Sequence, residues 1–467
     1  MEQNPPRLIV AGTGSGVGKT TVTLGLLAAM KRRGIAVQAY KAGPDYIDPG
    51  FHSAVTGRSS RNLDSWMLGK DGMREVFLRG ASKAEVCVVE GVMGLFDGEA
   101  PDRNDGSTAE IAAELNTPVV LVTDASGAAR SAAAVVRGFQ VFDPAVEIGG
   151  VILNRVGSEG HAQMLKTAIE QECDIPVLGA LPWDESRLLP ERHLGLIPAW
   201  EQGQRNRWLK QVTDQVESHI DLDRLLSLAR QKTPVSMPEA CRYPCPRRDE
   251  QGPVIAVAKD EAFHFYYEEN LELLRYYGAH LHMFSPLQGE DLPEAIDGLY
   301  LGGGFPEEFA ERLSRQTRLM DFLRDRIQSG LPTYAEGGGF MFLCDSLTDR
   351  HGERYAMVGV IPAQVEMSSR LAAMGYREVC AKRDSLLLAK GETARGHEFH
   401  YSRLSTPPEW EPLYSSRGSF GSGGEGYGHD RLLASYTHLH FLSQPSMARR
   451  WVEICRAYKR ERTGFSP

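Results

Sequence analysis

The stretch Gly12-Thr13-Gly14-Ser15-Gly16-Val17-Gly18-Lys19-Thr20 constrains this chain more than any other. It follows an apolar run, Leu8-Ile9-Val10-Ala11, and precedes a stretch of helical character over 21–31. A buried strand that turns through glycines into a helix start aims backbone N–H groups and the positive end of a helix dipole at one point, and a polyphosphate suits that point. The pattern predicts a phosphate-binding loop, with Thr13, Gly14, Ser15, Gly16, Val17, Gly18, Lys19, Thr20 and Thr21 around a nucleoside triphosphate. Lys19 falls on the outer phosphates and Thr20 on Mg²⁺. Five residues rather than the usual four separate Gly12 from Gly18, and Thr13 stands at the regular glycine position.

At 467 residues the chain has room for two to four domains of about 150 residues each. Hydrophobic residues make up 42% and charged residues 24%, a globular balance, and 48 glycines suit a fold with many strand–helix turns. The net charge of −9, from 61 acidic and 52 basic residues, leaves no electrostatic footprint for nucleic acid. No run of about 18 uncharged apolar residues occurs, and Met1-Glu2-Gln3-Asn4-Pro5-Pro6 lacks the basic and apolar regions of an export signal. A cytoplasmic protein is expected. The seven cysteines, odd in number and scattered, fit reduced thiols, and Cys241 and Cys245 lack the second ligand pair of a zinc site.

Apolar runs at 8–11, 86–89, 119–122 and 150–153 read as buried parallel strands between helices, an open α/β sheet. Between about 231 and 253 prolines and charges replace apolar periodicity, which predicts a connection between domains. Strands resume at Val254-Ile255-Ala256-Val257-Ala258, Leu299-Tyr300-Leu301 and Thr333-Tyr334-Ala335, with a helical pattern over 268–277, so a second α/β domain fills the C-terminal half. The expected division is 1–232, a connection over 233–252, and 253–467.

Two further segments of the first half carry acids. Lys41-Ala42-Gly43-Pro44-Asp45-Tyr46-Ile47-Asp48-Pro49-Gly50 is a loop able to hold carboxylates beside phosphates. Val88-Val89-Glu90-Gly91 puts Glu90 at the carboxyl end of a strand, the crevice side of an open sheet, where it can ligate Mg²⁺.

These segments, with 41–52, 90–98, 190–196, 260–270, 302–307, 395–402 and 435–441, closely resemble the cobyrinic acid a,c-diamide synthases over nearly the full length. The resemblance implies two domains: a dethiobiotin synthetase-like ATP domain and a class I glutamine amidotransferase domain of the cobyric acid type. It implies ATP-dependent amidation of the a and c acetate side chains of a corrin macrocycle through acyl phosphates, with glutamine as nitrogen donor. By the likeness to dethiobiotin synthetase, Thr20, Asp48 and Glu90 ligate Mg²⁺; Asp45, Tyr46 and Asp97 lie near the substrate carboxylate; and Asn154 reads adenine. An asparagine ending a strand is as often a turn residue. A homodimer is implied by the family alone.

In the second half the resemblance implies a cysteine nucleophile on the turn after Thr333-Tyr334-Ala335-Glu336, where the family has Glu-Cys-Gly-Gly. This chain has Glu336-Gly337-Gly338-Gly339. Glycine can form no thioester, so loss of glutaminase turnover is expected. Either a substitution that silences hydrolysis or a natural ammonia-dependent variant would give this pattern. Cys344 is expected within the following helix, out of reach of the turn. His438 aligns with the catalytic histidine, and His440 stands where the wider class commonly has glutamate. Gly303 and Gly304, after the strand at 299–301, are expected to offer oxyanion N–H groups. His397 and His400, three apart, would share a helix face and could hold a metal. Two alternatives compete: amidation of nickel-sirohydrochlorin by an enzyme of the same layout, and a partitioning-type ATPase switch. The latter lacks a use for the C-terminal half and carries an extra early lysine where Thr13 and Gly14 stand.

Overall fold

The structure is a computed structural model that describes residues 2–184, 202–230, 234–247, 249–406, 409–418 and 421–464. The segment 190–196, part of the family resemblance, lies outside the described residues. The chain divides into two compact units, Met1–Cys241 and Arg242–Pro467.

In the first unit, strands β1 (Arg7–Gly12), β2 (Val37–Ala42), β3 (Arg61–Leu63), β4 (Val86–Glu90), β5 (Val119–Asp124), β6 (Ile148–Val156) and β7 (Val177–Pro182) form one sheet in the order β3-β2-β4-β1-β5-β6-β7. Every neighbouring pair is parallel. The Val, Ile and Leu runs of β1, β4, β5 and β6 are what strands covered on both faces require. Leu8, Val10, Val88, Val120 and Ile152 share a core with Val22, Leu26 and Met30 of helix α1 (Lys19–Arg32). Strand β1 is central, between β4 and β5; the chain leaves it for β2 on the β4 side and later crosses from β4 to β5 on the other side. The carboxyl end of β1 is therefore a switch point, where open α/β sheets bind ligands. Helix α2 (Ile47–Thr56) follows β2 and carries Asp48 and His52 at this end.

In the second unit, β8 (Val254–Ala258), β9 (His280–Phe284), β10 (Gly298–Leu301), β11 (Thr333–Glu336), β13 (Tyr427–His429) and β14 (Leu432–Ser435) are ordered β9-β8-β10-β11-β14-β13. All pairs are parallel except the β13–β14 edge. This α/β sheet is joined by two further sheets that the apolar runs do not announce. One, five-stranded and antiparallel, contains β12 (Thr393–His400) and β15 (His438–Leu439). The other has four strands, with Cys344–Thr348 inside it. The segment expected as a connection is packed rather than free. Val235–Ser236 pairs with Glu2–Gln3 in the first unit. In the second, Arg242 donates to Leu442 O (2.8 Å) and Arg247 N–H to Tyr276 O (2.8 Å).

Candidate functional site

In the first unit the loop between β1 and α1 is tied from several sides. Thr13 N–H donates to Val122 O (3.0 Å) and Leu95 N–H to Gly12 O (2.9 Å). Gly18 has φ 95°, and a side chain there would run into the Asn154 amide. Asn154 Nδ2 donates to Val17 O (2.9 Å). Arg155 donates to Gly16 O (2.8 Å) and pairs with Asp124 (2.5 Å). Asn154, expected to read a base, therefore commits its amide to holding the loop, because β6 brings it against Gly18 with a loop carbonyl in reach. Among the described residues no acceptor takes the N–H groups of Gly14, Ser15 or Gly16, which leaves donors gathered at a helix start. Lys19 Nζ arches back to Gly14 O (2.9 Å); burial, then the nearby Lys41 ammonium, lowers its pKa from the ordinary lysine value.

The acids converge beside this loop. Thr20 Oγ1 donates to Glu90 Oε1 (2.7 Å). Lys41 Nζ donates to Asp48 Oδ2 (2.6 Å), Glu90 Oε1 (2.9 Å) and Gly91 O (3.2 Å), and lies 4.0 Å from Asp45 Oδ2. Burial opposes the Lys41 charge, but Asp48, Glu90 and Asp45 outweigh it and raise its pKa, so the ammonium is held charged. His52 Nε2 sits 2.7 Å from Glu90 Oε2 and its Nδ1 3.3 Å from Ser60 Oγ. Glu90 is thus gripped at both oxygens and fully buried. The structure brings Thr20, Asp48 and Glu90 together as a group. It adds Lys41 and His52, whose only sequence signal is membership of the segment 41–52.

Magnesium takes hard oxygen ligands. The Thr20 hydroxyl and the Asp48 and Glu90 carboxylates are of that type; the two carboxylates already hold one cation, the Lys41 ammonium, and Thr20 bonds Glu90 beside it. Among the described residues no set of three or more His, Cys, Asp or Glu is arranged to hold a metal alone. The donor set therefore fits an ion that shares its shell with phosphate oxygens and water. Of the remaining predicted residues, Asp45 caps α2 by accepting from Ile47 N–H (2.7 Å) and Asp48 N–H (3.2 Å). Burial, then Asp48, raises its pKa. Tyr46 immediately precedes α2. Exposed Asp97 closes its own turn by accepting from Gly94 N–H (2.8 Å).

In the second unit β11 ends at Glu336 and helix α3 (Gly338–Leu343) starts two residues later. Between them Gly337 adopts φ 53°, ψ −112°, the sharp strand-to-helix turn that displays a nucleophile at its apex. A Cβ built at 337 would press into His438 Nε2, so the histidine faces that apex. His438 is positioned by pairing of β15 with β12, His397 opposite His438 and Gly396 opposite Leu439. A side chain on Gly396 would collide with His438 O, so this glycine of the 395–402 motif lets the strands close. Glu425 fixes the preceding residue by accepting from Thr437 N–H (2.8 Å) and Oγ1 (2.6 Å). Gly303 backs onto the His438 ring, and its N–H already donates to Phe265 O (3.3 Å). Among the described residues the N–H groups of Gly304 and Gly338 have no acceptor.

Residues 8–197 match the CobQ/CobB/MinD/ParA nucleotide binding domain, and residues 254–446 match the CobB/CobQ-like glutamine amidotransferase domain. The chain is 51% identical over 457 residues to the cobyrinate a,c-diamide synthase of Priestia megaterium, covering 98% of each chain. It is 43% identical to those of Dehalococcoides mccartyi (strain CBDB1) and Syntrophotalea carbinolica, covering 97% of this chain and 99% of each relative. The chain belongs to the cobyrinate a,c-diamide synthase family.

At the elbow, where the resemblance implies a cysteine, this chain has Gly337. Cys344 is not in the helix after the turn: α3 stops at Leu343 and Cys344 begins a strand. Its Sγ donates to Phe340 O (3.3 Å), and burial pushes the thiol well above its ordinary pKa. The helix-face metal reading of His397 and His400 also fails, because both lie on strand β12, where residues three apart point to opposite faces. His400 instead stacks on Tyr436 (3.8 Å) and meets Glu398 (2.8 Å). No helix among the described residues is long and apolar enough to cross a membrane.

Proposed function

We propose that this chain amidates the a and c acetate carboxylates of cobyrinic acid in cobalamin biosynthesis, using ATP with Mg²⁺ and taking its nitrogen from ammonia. Residues 1–232 are the ligase domain, 253–467 the amidotransferase domain and 233–252 the connection. The observation that carries this reading is the meeting of Lys19, Thr20, Lys41, Asp48 and Glu90 beside unpartnered loop amides.

A carboxylate resists attack by ammonia until one oxygen is made a leaving group. In this reading the loop amides and Lys19 bind the β- and γ-phosphates and stabilise charge as a substrate carboxylate oxygen attacks the γ-phosphorus and ADP departs. Lys41 offers its ammonium to the transferred phosphoryl group, while Asp48 and Glu90 hold it in place. Thr20, Asp48 and Glu90 would hold Mg²⁺, which neutralises phosphate charge. Asp45, Tyr46 and Asp97 lie on the substrate side. Ammonia then attacks the acyl carbon, phosphate leaves, and the nitrogen gives up a proton. In the second domain Gly304 and Gly338 supply the oxyanion donors and His438 the base, but Gly337 supplies no sulfur, so glutamine is not hydrolysed.

The test is ADP release and product mass with ammonium salt, ATP and Mg²⁺, offering cobyrinic acid and nickel-sirohydrochlorin separately. Two successive amidations of cobyrinic acid support the reading. Amidation of the nickel compound alone would replace the substrate, and ATP hydrolysis stimulated by neither would overturn the ligase assignment.

A further inference from the structure

We infer that Glu336, the residue immediately before the elbow, is the carboxylate that positions His438; this rests on reading position 337 as the glutaminase nucleophile site. The two nitrogens of His438 meet different neighbours. Nε2 faces the place a side chain at 337 would fill, and Nδ1 lies 3.7 Å from Glu336 Oε1. That carboxylate is 1% exposed and fixed at both oxygens, by Tyr300 OH on Oε1 (2.8 Å) and Tyr334 OH on Oε2 (2.7 Å). Burial, then Glu336 itself, pushes both phenols well above their ordinary pKa, so each stays a donor.

A histidine that takes a proton at Nε2 must carry its own on Nδ1, and a buried carboxylate facing Nδ1 fixes that tautomer and stabilises the imidazolium. The distance is longer than a hydrogen bond, and such contacts commonly tighten only when substrate is bound.

The competing neighbours are worse placed. His440, two residues beyond His438, is fully buried against Tyr267 (4.4 Å), with Nε2 3.7 Å from Glu269 Oε2; burial, then Arg242, lowers its pKa to about 3. His397, opposite His438 in the strand pair, is lowered to about 3 by burial, then by His438. Tyr266 and Tyr414, which also lie near Glu336, are pushed by burial well above the ordinary tyrosine value and stay neutral. The orienting acid thus comes from β11 before the nucleophile position, not from the segment after the histidine.

The test uses the full chain carrying Gly337→Cys, then the same chain with Glu336→Gln added. Glutamine hydrolysis and iodoacetamide alkylation of the introduced thiol are both measured at pH 7. The expected result is a fall in kcat of about 100-fold or more with KM within about threefold, and a clear slowing of alkylation as the thiolate loses its charged partner. Turnover and alkylation both within about threefold of the Gly337→Cys chain would overturn the role of Glu336. No glutamine turnover by Gly337→Cys alone would overturn the glutaminase reading, while the alkylation comparison would still decide whether Glu336 acts on His438. Should Glu336→Gln fail to fold, Glu336→Asp, which keeps the charge but withdraws it from Nδ1, carries the comparison: slowed alkylation supports the role and unchanged alkylation overturns it.

Discussion

In the first unit Lys19, Thr20, Lys41, Asp48 and Glu90 meet at the end of a parallel sheet, and each group the proposed chemistry calls for is present. In the second unit the elbow, His438 and Glu336 surround a glycine. The elbow backbone is formed there with no side chain at its apex. The contrast shows that a site's frame and its reacting group are specified separately. Pairing of β12 with β15 and the bonds to Glu425 hold His438 whether or not a thiol faces it. The units differ in charge as well. The first buries a lysine among acids, and the second buries histidines in neutral form.

The largest effect is expected in the first unit. Lys19→Ala should lower amidation by about 10³-fold or more with any nitrogen donor, since it removes charge from the transferred phosphoryl group. A loss below about tenfold in ADP release would break the claim that this unit carries the chemistry.

Acid should separate the units next. His397 and His440 have folded-state pKa values of about 3, below the unfolded value of about 6.5. Their neutral forms are favoured in the folded state, so their contribution is intact above pH 6.5 and is lost as pH falls toward 3. By pH 5.5 each should cost on the order of 1 kcal/mol of stability. Hydrogen exchange should show 393–400 and 438–442 losing protection between pH 7 and 5.5 ahead of β1 and β4. The opposite order would mean that the buried histidines do not govern the second unit.

A separate effect, confined to one position, is expected at the elbow. Gly337→Cys should raise glutamine hydrolysis about 100-fold above the parent chain. The same change should lower the stability of the second unit by about 1–3 kcal/mol, read as a lower melting temperature. Two causes add: a φ of 53° strains a side chain, and the His438 ring must retreat from the new Cβ. A variant that gains turnover with no loss of stability would show that the elbow relaxes around the thiol.

Much of this was legible before the fold. The phosphate loop is local chemistry on consecutive residues, and Glu90 follows from strand polarity alone. The elbow and His438 were legible through family resemblance, not through spacing. Lys41, His52 and Glu336 were not, because their roles arise where distant strands meet: Lys41 from β2 reaches Glu90 at the end of β4, and Glu336 on β11 faces a histidine on β15. Asn154, read as ending a strand, lies inside β6 two residues before its end, where the approach of β6 to Gly18 lets its amide donate to the loop. The segment 395–402 was open to a helical reading. Its strand pairing depends on Gly396 fitting against His438, which no pattern within the segment reveals.

The most direct test of the central claim compares glutamine with ammonium salt as nitrogen donor for amidation of cobyrinic acid, with this chain and with Gly337→Cys. The account predicts amidated product from this chain with ammonium only, and product from glutamine once the cysteine is installed. Product from glutamine with Gly337 in place would contradict it.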